Sequence, residues 1–149
     1  NRRGFMILAN GLLKFARRAD HPLSLLYIDM DSLKHINDTF GHAHGDTALT
    51  HFAHILTETF RDSDVIARMG GDEFAVLTID ATEGGLTAIQ KRLQSNVDTH
   101  NLQSVHGYAL SFSLGVIRVD LKSTFTVEAL LSQADEAMYT HKRRKKSRA

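Results

Sequence analysis

The sequence predicts an α+β domain in which a mixed β-sheet is covered by helices, and three observations support this fold class. Amphipathic segments with helical spacing alternate along the chain with short apolar, β-prone runs. Two of these runs are separated only by Gly70-Gly71, which is typical of a β-hairpin. The chain has 149 residues, of which 42% are hydrophobic and one is proline, and this composition predicts one globular domain over residues 1–149.

The spacing of apolar residues gives the order of the elements as α, β, α, β-hairpin, α, β, α. The predicted helices cover residues 4–19, 45–60, 84–97 and 127–138. The predicted strands cover residues 23–28, 65–69, 74–79 and 110–119. Crossover helices combined with a hairpin predict a sheet that contains both parallel and antiparallel neighbours.

Composition and charge exclude several classes of protein. The formal net charge is +1, so no overall field favours a nucleic-acid partner, and the basic run after His141 is interpreted as a solvated tail. The chain has no cysteine, which excludes disulfides and thiolate metal sites. No apolar run has the length of a membrane span, so direct membrane insertion is not expected. Because the chain begins at Asn1 without methionine, we expect it to be a domain excised from a longer protein.

Acidic side chains follow two of the predicted strands. Asp29 comes directly after the first strand, and Asp72 and Glu73 come directly after the hairpin glycines. A single carboxylate at a strand end is usually solvated. If the hairpin lies beside the first strand, however, Asp29 and Asp72 converge and need a cation such as Mg²⁺ to offset their repulsion. Such a site suits phosphoryl or nucleotidyl transfer.

The segment between the first strand and the next helix is dense in polar groups. Lys34 offers a point charge for a phosphate, and Asn37 and Asp46 offer donors and acceptors for a purine edge. The alternative is structural, with Asn37 and Asp38 forming a turn and Gly41 ending a helix. No Gly-rich phosphate-binding motif occurs, so a nucleotide would be held by metal, lysine and backbone.

Four histidines lie close together in the sequence and raise the question of a zinc site. They are His42, His44, His51 and His54. They lack the HExxH spacing and have no cysteine partner. Structural or surface roles are therefore favoured for them over zinc binding.

Several segments fall in the order and spacing of one known family. Residues 68–74 read Arg-Met-Gly-Gly-Asp-Glu-Phe, and they are accompanied by a DxDxxKxxND segment at 29–38, a GHxxGD segment at 41–46, SxG at 113–115 and a closing-helix pattern at 134–142. Together these motifs resemble the GGDEF family of diguanylate cyclases over essentially the whole chain. The family usually has phenylalanine where this chain has Ser32 and Leu33, and arginine where this chain has Lys146.

This resemblance implies an enzyme that condenses two GTP molecules into cyclic di-GMP with release of two pyrophosphates. It implies a homodimer, because the 3′-hydroxyl of each GTP attacks the α-phosphate of the other. The implied fold is a five-stranded sheet surrounded by helices, with a ferredoxin-like core related to nucleotidyl cyclases and polymerase palms. The implied setting is cytoplasmic, downstream of a sensor domain in the same full-length chain. The alternative is a catalytically silent module that binds GTP or cyclic di-GMP.

The resemblance also implies residue roles. Asp29, Asp72 and the Met30 carbonyl would bind two Mg²⁺ ions, with Mn²⁺ as the alternative metal. Glu73 would assist at the metal site or activate the 3′-hydroxyl. The implied substrate-binding residues are Lys34 and Lys142 for phosphates, Asn37 and Asp46 for guanine, and Gly70, Gly71 and Lys146. Lys146 cannot form the planar fork of the usual arginine, so its phosphate contact differs from the family's.

A further motif precedes the hairpin. Residues 61–64 read Arg-Asp-Ser-Asp, an RxxD pattern that the family uses as an inhibitory site for its product. The resemblance thus implies cyclic di-GMP binding by Arg61 and Asp64, with Arg92 as a further candidate. The alternative is that RxxD is simply a loop.

Overall fold

The structure, a computed structural model, describes residues 1–148, and it confirms the predicted α+β fold class. The helices are α1 (Arg2–Ala19), α2 (Leu33–Phe40), α3 (His42–Thr59), α4 (Glu83–Gln103) and α5 (Val127–Arg148). The strands are β1 (Leu23–Asp31), β2 (Val65–Gly70), β3 (Glu73–Ile79) and β4 (Ser111–Arg118). The strand order β2-β3-β1-β4 is that of the ferredoxin-like βαββαβ arrangement.

The chain divides into two compact units. One unit comprises Asn1–Asp29, Asp62–Thr82 and the chain from Ser113 onward. It contains most of the sheet together with α1 and α5. The other unit comprises Met30–Arg61 and Glu83–Phe112, and it contains α2, α3 and α4.

The sheet differs from the prediction in strand direction and strand number. β3 pairs antiparallel with both β1 and β2, so these neighbours do not form the expected mixed sheet. The cause is the hairpin, which reverses the chain and inserts β3 between β1 and β2. Within residues 1–148 the sheet has four strands, whereas the family resemblance implied five. The sequence itself contains four β-prone runs, and each of them forms one of these strands.

The hairpin turn falls one residue later than predicted. Gly70 ends β2 opposite Glu73, so the two-residue loop is Gly71-Asp72 and not Gly70-Gly71. Gly71 has φ 50°, a left-handed conformation that glycine adopts without steric cost. Glycine at the first of two loop positions is typical of a type II′ turn. The consequence is that the turn itself carries Asp72.

The helices confirm the predicted ones and add one that the sequence analysis missed. α2 occupies the polar segment in which Asn37 and Asp38 were an alternative turn, and both residues are helical. Ile36 is the one residue that α2 buries. A single buried residue gives no helical repeat of apolar positions, so the spacing analysis did not detect this helix. Gly41, with φ 95°, ends α2 and precedes α3, as the helix-stop interpretation expected.

The basic run at the end of the chain is helical, and residues 143–148 are exposed, in agreement with the solvated interpretation. α5 continues through it to Arg148. Lysine and arginine have high helix propensity, and their positive charge is favourable at a helix C-terminus. None of the five described helices has the length and apolar content needed to cross a membrane.

In the first unit, α1 and α5 pack with the sheet around one apolar core. Its members include Phe5, Leu13, Leu25, Leu77 and Leu131, all of which are buried. At Gly115 on β4 a Cβ atom would lie 2.3 Å from the backbone of α5. The SxG glycine is thus required because the helix backbone lies directly against the strand.

Candidate active site

Three acidic residues lie at one end of β1 and β3. Asp29 is the register partner of Glu73 across the antiparallel pair, so the two side chains lie on the same face of the sheet. Asp72 precedes Glu73 in the hairpin turn and interacts electrostatically with Asp29. The structure therefore brings Asp29 and Asp72 together, as expected from the sequence.

Asp29 is a buried acid with an incomplete set of partners. Its side chain is 8% exposed, and Oδ2 accepts a hydrogen bond from Lys142 Nζ at 2.7 Å. Oδ1 is buried and has no hydrogen-bond donor among the described residues. Burial raises the pKa of Asp29 to about 6; the neighbouring Asp72 adds to the rise and Lys142 opposes it. Lys142 thus compensates the charge of ionised Asp29 only in part.

These two aspartates fit a hard divalent cation. A cation would provide the buried Oδ1 with a partner and would offset the repulsion between Asp29 and Asp72. Within residues 1–148, no three histidine or acidic side chains are arranged to hold a metal ion. Mg²⁺ is commonly bound by one or two carboxylates together with substrate phosphates, so a two-acid set is sufficient.

Glu73 has a partner that the sequence analysis missed. The hydroxyl of Tyr27 donates to Glu73 Oε2 at 2.7 Å. Burial raises the pKa of Tyr27, and the hydrogen bond and charge of Glu73 raise it further, so the hydroxyl stays protonated. Tyr27 lies two residues before Asp29 and therefore on the same face of β1, which is the signal that would have identified it.

In this structure Lys142 donates a hydrogen bond to Asp29. The sequence analysis assigned it a different partner, a phosphate of the substrate. Lys142 is carried by the last turns of α5, and its side chain is 30% exposed. The preceding residue holds this part of the helix to β4, since His141 Nδ1 accepts a hydrogen bond from the Leu114 amide at 2.9 Å. Lys146 is exposed one turn later on the same helix.

The predicted guanine-reading residues lie in the second unit. Asn37 is on α2 and Asp46 is near the start of α3, while Lys34 is exposed on α2. Between them, Gly45 is buried, and a Cβ at this position would lie 1.7 Å from Asn37 Oδ1. The glycine therefore gives the Asn37 side chain its space against α3, next to Asp46.

The predicted inhibitory site comprises Arg61, Asp64 and Arg92. Arg61 is exposed just after α3. On α4, Arg92 donates from Nε and Nη2 to the carbonyl of Thr59 at 3.1 and 2.7 Å, which anchors it at the end of α3 near Arg61. Asp64 is 8% exposed and directly precedes β2.

The histidines form ring contacts in the second unit. His51 and His100 have ring centroids 4.9 Å apart, and His51 and His106 are 6.0 Å apart. Burial lowers the pKa of His100, and the charges of His51 and His106 lower it further. His54 instead lies 3.7 Å from Glu58 on α3. The ring contacts of His100 thus favour its neutral form, and His54 contacts an acidic side chain instead.

Comparison with known proteins gives consistent matches. Residues 1–148 match the family described as "Diguanylate cyclase, GGDEF domain". The chain is similar to the diguanylate cyclase DosC of Escherichia coli K12, with 34% identity over 148 residues that cover 99% of this chain and 32% of DosC. It thus spans about a third of the length of that relative.

Two solved structures are also similar to this chain. The fold is similar to the GGDEF domain of TpbB (YfiN) from Pseudomonas aeruginosa, with a TM-score of 0.87, 34% identity and coverage of 97% of this chain and 84% of that one. It is also similar to a microbial GGDEF domain studied for its interaction with cyclic di-GMP, with a TM-score of 0.78, 31% identity and coverage of 95% and 86%.

Proposed function

Because this chain belongs to the GGDEF-domain family of diguanylate cyclases, we propose that it condenses two GTP molecules into cyclic di-GMP and releases two pyrophosphates. The observation that carries this proposal is the pairing of Asp29 with Asp72, in which a buried carboxylate oxygen has no donor among residues 1–148. This arrangement suits a cation and the phosphates of a nucleotide.

Asp29, Asp72 and the Met30 carbonyl would hold two Mg²⁺ ions, and Mn²⁺ would be the alternative metal. The bound ions would stabilise negative charge on the reacting phosphates. The free Oδ1 of Asp29 and the half-buried Asp72 support this assignment. The chemistry of the donors favours a hard metal, because both side chains offer only oxygen.

The remaining roles belong to side chains around this pair. Glu73 would orient or deprotonate the 3′-hydroxyl, or assist at the metal site, through the oxygen that Tyr27 does not occupy. Lys142 would leave Asp29 when a cation binds and would then contact phosphate. The other proposed substrate contacts are phosphate by Lys34 and Lys146, guanine by Asn37 and Asp46, and close approach of the ligand at Gly70 and Gly71.

Catalysis would require two copies of the domain, since one bound GTP cannot form both new phosphodiester bonds alone. We propose a homodimer whose assembly is controlled by an upstream sensor domain in a longer chain. The greater length of DosC supports a multidomain arrangement. The proposed location is the cytoplasm, where GTP is available.

Product analysis tests the proposed activity. A forced dimer of the domain, incubated with GTP and Mg²⁺, is expected to form cyclic di-GMP and two pyrophosphates per product. A dimer that binds GTP but forms no cyclic di-GMP would instead identify a silent binding module. The presence of Gly70, Gly71, Asp72 and Glu73 together argues for the active enzyme.

Gly45→Ala tests the guanine-reading assignment. The new Cβ would occupy the position of Asn37 Oδ1, only 1.7 Å away, and force that side chain to rotate. We expect the KM for GTP to rise about tenfold with a small change in melting temperature, since an amide is displaced and no backbone is. Gly11→Ala is the matched control, because nothing lies within 4 Å of the added Cβ. An unchanged KM in Gly45→Ala would contradict the role of Asn37.

Arg61→Ala tests the inhibitory site. We propose that Arg61, Asp64 and Arg92 bind cyclic di-GMP, supported by the exposed Arg61 and by the anchoring of Arg92 beside the end of α3. The variant is expected to turn over GTP at the initial rate of the wild type but to continue after product accumulates. Progress curves with added cyclic di-GMP measure this, and retention of full inhibition would remove Arg61 from the site.

A further inference from the structure

Tyr27 and Glu73 form a diagonal pair on one face of the sheet. Tyr27 is the register partner of Ala75, and Asp29 is the register partner of Glu73. Alternation along the strands places these side chains on the same face, at the separation that a long aromatic side chain can bridge. The bridge is the 2.7 Å hydrogen bond from the Tyr27 hydroxyl to Glu73 Oε2.

The donor in this pair is rigid. Tyr27 is 5% exposed and belongs to the apolar core formed by α1, α5 and the sheet. Its ring is held by packing, so the hydroxyl occupies a fixed point at the end of β1. Glutamate loses more rotamer freedom than most side chains when it is ordered, and a fixed donor selects one of its rotamers.

The two adjacent acids therefore have separate partners. Asp29 is bonded by the ammonium group of Lys142, which another cation can replace, whereas Glu73 is bonded by a neutral, buried hydroxyl. An incoming cation repels the ammonium group of Lys142 but does not repel a neutral hydroxyl. Glu73 is thus expected to keep its orientation when the charge environment of Asp29 and Asp72 changes.

We propose that Tyr27 is a positioning residue, which acts through Glu73 by holding one carboxylate oxygen so that the other faces the reacting 3′-hydroxyl. The inference rests on the proposed cyclase activity for its functional part and on the 2.7 Å hydrogen bond for its structural part. Tyr27 itself touches no substrate in this scheme. Its loss should lower kcat and leave the KM for GTP unchanged, because Glu73 has no assigned contact with guanine or phosphate.

Tyr27→Phe removes the hydroxyl and keeps the ring in the core. We expect kcat to fall about tenfold at constant KM, since Glu73 loses the hydrogen bond that orders its carboxylate. Tyr139→Phe is the matched control, because Tyr139 is 59% exposed on α5 and its variant should retain wild-type kcat. An unchanged kcat in Tyr27→Phe, or an equal loss in both variants, would overturn the proposal.

A double-mutant cycle separates positioning from a general structural role. If Tyr27 acts through Glu73, then Tyr27→Phe should lower kcat no further in a Glu73→Gln background. If the tyrosine only supports the fold, the two losses should multiply. Multiplied losses would overturn the proposal.

A measurement without metal or GTP tests the same pair. The chain has three tyrosines, so labelling their ζ carbons with ¹³C gives three resonances, and Tyr27→Phe assigns one of them. Glu73→Gln should shift the Tyr27 resonance and leave the Tyr139 resonance in place. A resonance that does not move would overturn the pairing, even in a protein that makes no cyclic di-GMP. A shifted resonance in an inactive wild-type protein would instead retain the pairing and reject the cyclase activity.

Discussion

Asp29→Asn is expected to abolish cyclase activity and, at the same time, to stabilise the metal-free domain. Activity should fall about a thousandfold because the amide removes a charged ligand from the proposed metal site and weakens charge stabilisation at the reacting phosphates. Stability should rise by about 1–2 kcal/mol at neutral pH, because the ionised carboxylate is buried, lacks a donor at Oδ1 among residues 1–148, and lies near Asp72. Lys142 is partly exposed and can reach water when its partner is lost.

The stability difference should depend on pH with a definite sign. The folded-state pKa of Asp29 is about 6, above the ordinary value of 3.8, so the folded domain binds this proton more tightly than the unfolded chain. The contribution of Asp29 to the free energy of unfolding therefore becomes more favourable as pH falls from about 7 towards 4. The amide introduced by Asp29→Asn cannot titrate, so the variant should be more stable than the wild type at a pH of about 7.5 and about equal to it near a pH of about 4.

Chemical denaturation in EDTA across this pH range measures the effect. Asp38→Asn, at an exposed position of α2, is the matched control and should leave both activity and the pH profile as in the wild type. Added Mg²⁺ should stabilise the wild type more than Asp29→Asn, since ligand binding to the folded state raises stability. Parallel profiles of stability against pH for the wild type and Asp29→Asn would contradict a raised pKa of the buried carboxyl at this position.

Gly115→Ala is expected to be the most destabilising single methyl addition among the described glycines of the first unit. The Cβ would lie 2.3 Å from both the Ala134 carbonyl oxygen and the Met138 amide nitrogen, and backbone atoms of α5 cannot rotate away. The helix must shift as a body, at a cost of about 3 kcal/mol. For a domain of this size, that cost corresponds to a fall in Tm of about 10 °C.

The same substitution at Gly11 should have the opposite sign. Gly11 lies in the exposed face of α1 with nothing within 4 Å of the added Cβ, so alanine should stabilise by about 0.5–1 kcal/mol. Thermal unfolding of the two variants measures both effects. A folded Gly115→Ala protein should also bind phosphate-bearing ligands more weakly, because α5 carries Lys142, a proposed phosphate contact. Equal melting temperatures for both variants would contradict the close approach of α5 to β4.

Local patterns were sufficient for most of the fold. Helical spacing identified α1, α3, α4 and the start of α5, and β-prone runs identified all four strands, because each pattern lies within one continuous segment. α2 escaped detection because it is short and buries a single residue, Ile36. The turn position also escaped, since either of two adjacent glycines satisfies the same local rule and the register of β2 with β3 decides between them.

The sequence by itself determined the family and the identity of the acidic residues at the strand ends, because these are properties of short motifs in a fixed order. Only the tertiary structure decided which partner each acid has. Lys142 is 113 residues from Asp29 along the chain, and Glu73 is 46 residues from Tyr27. The tertiary structure also decided that the backbone of α5 lies directly against Gly115. Such contacts depend on sheet register and helix packing, which no local spacing encodes.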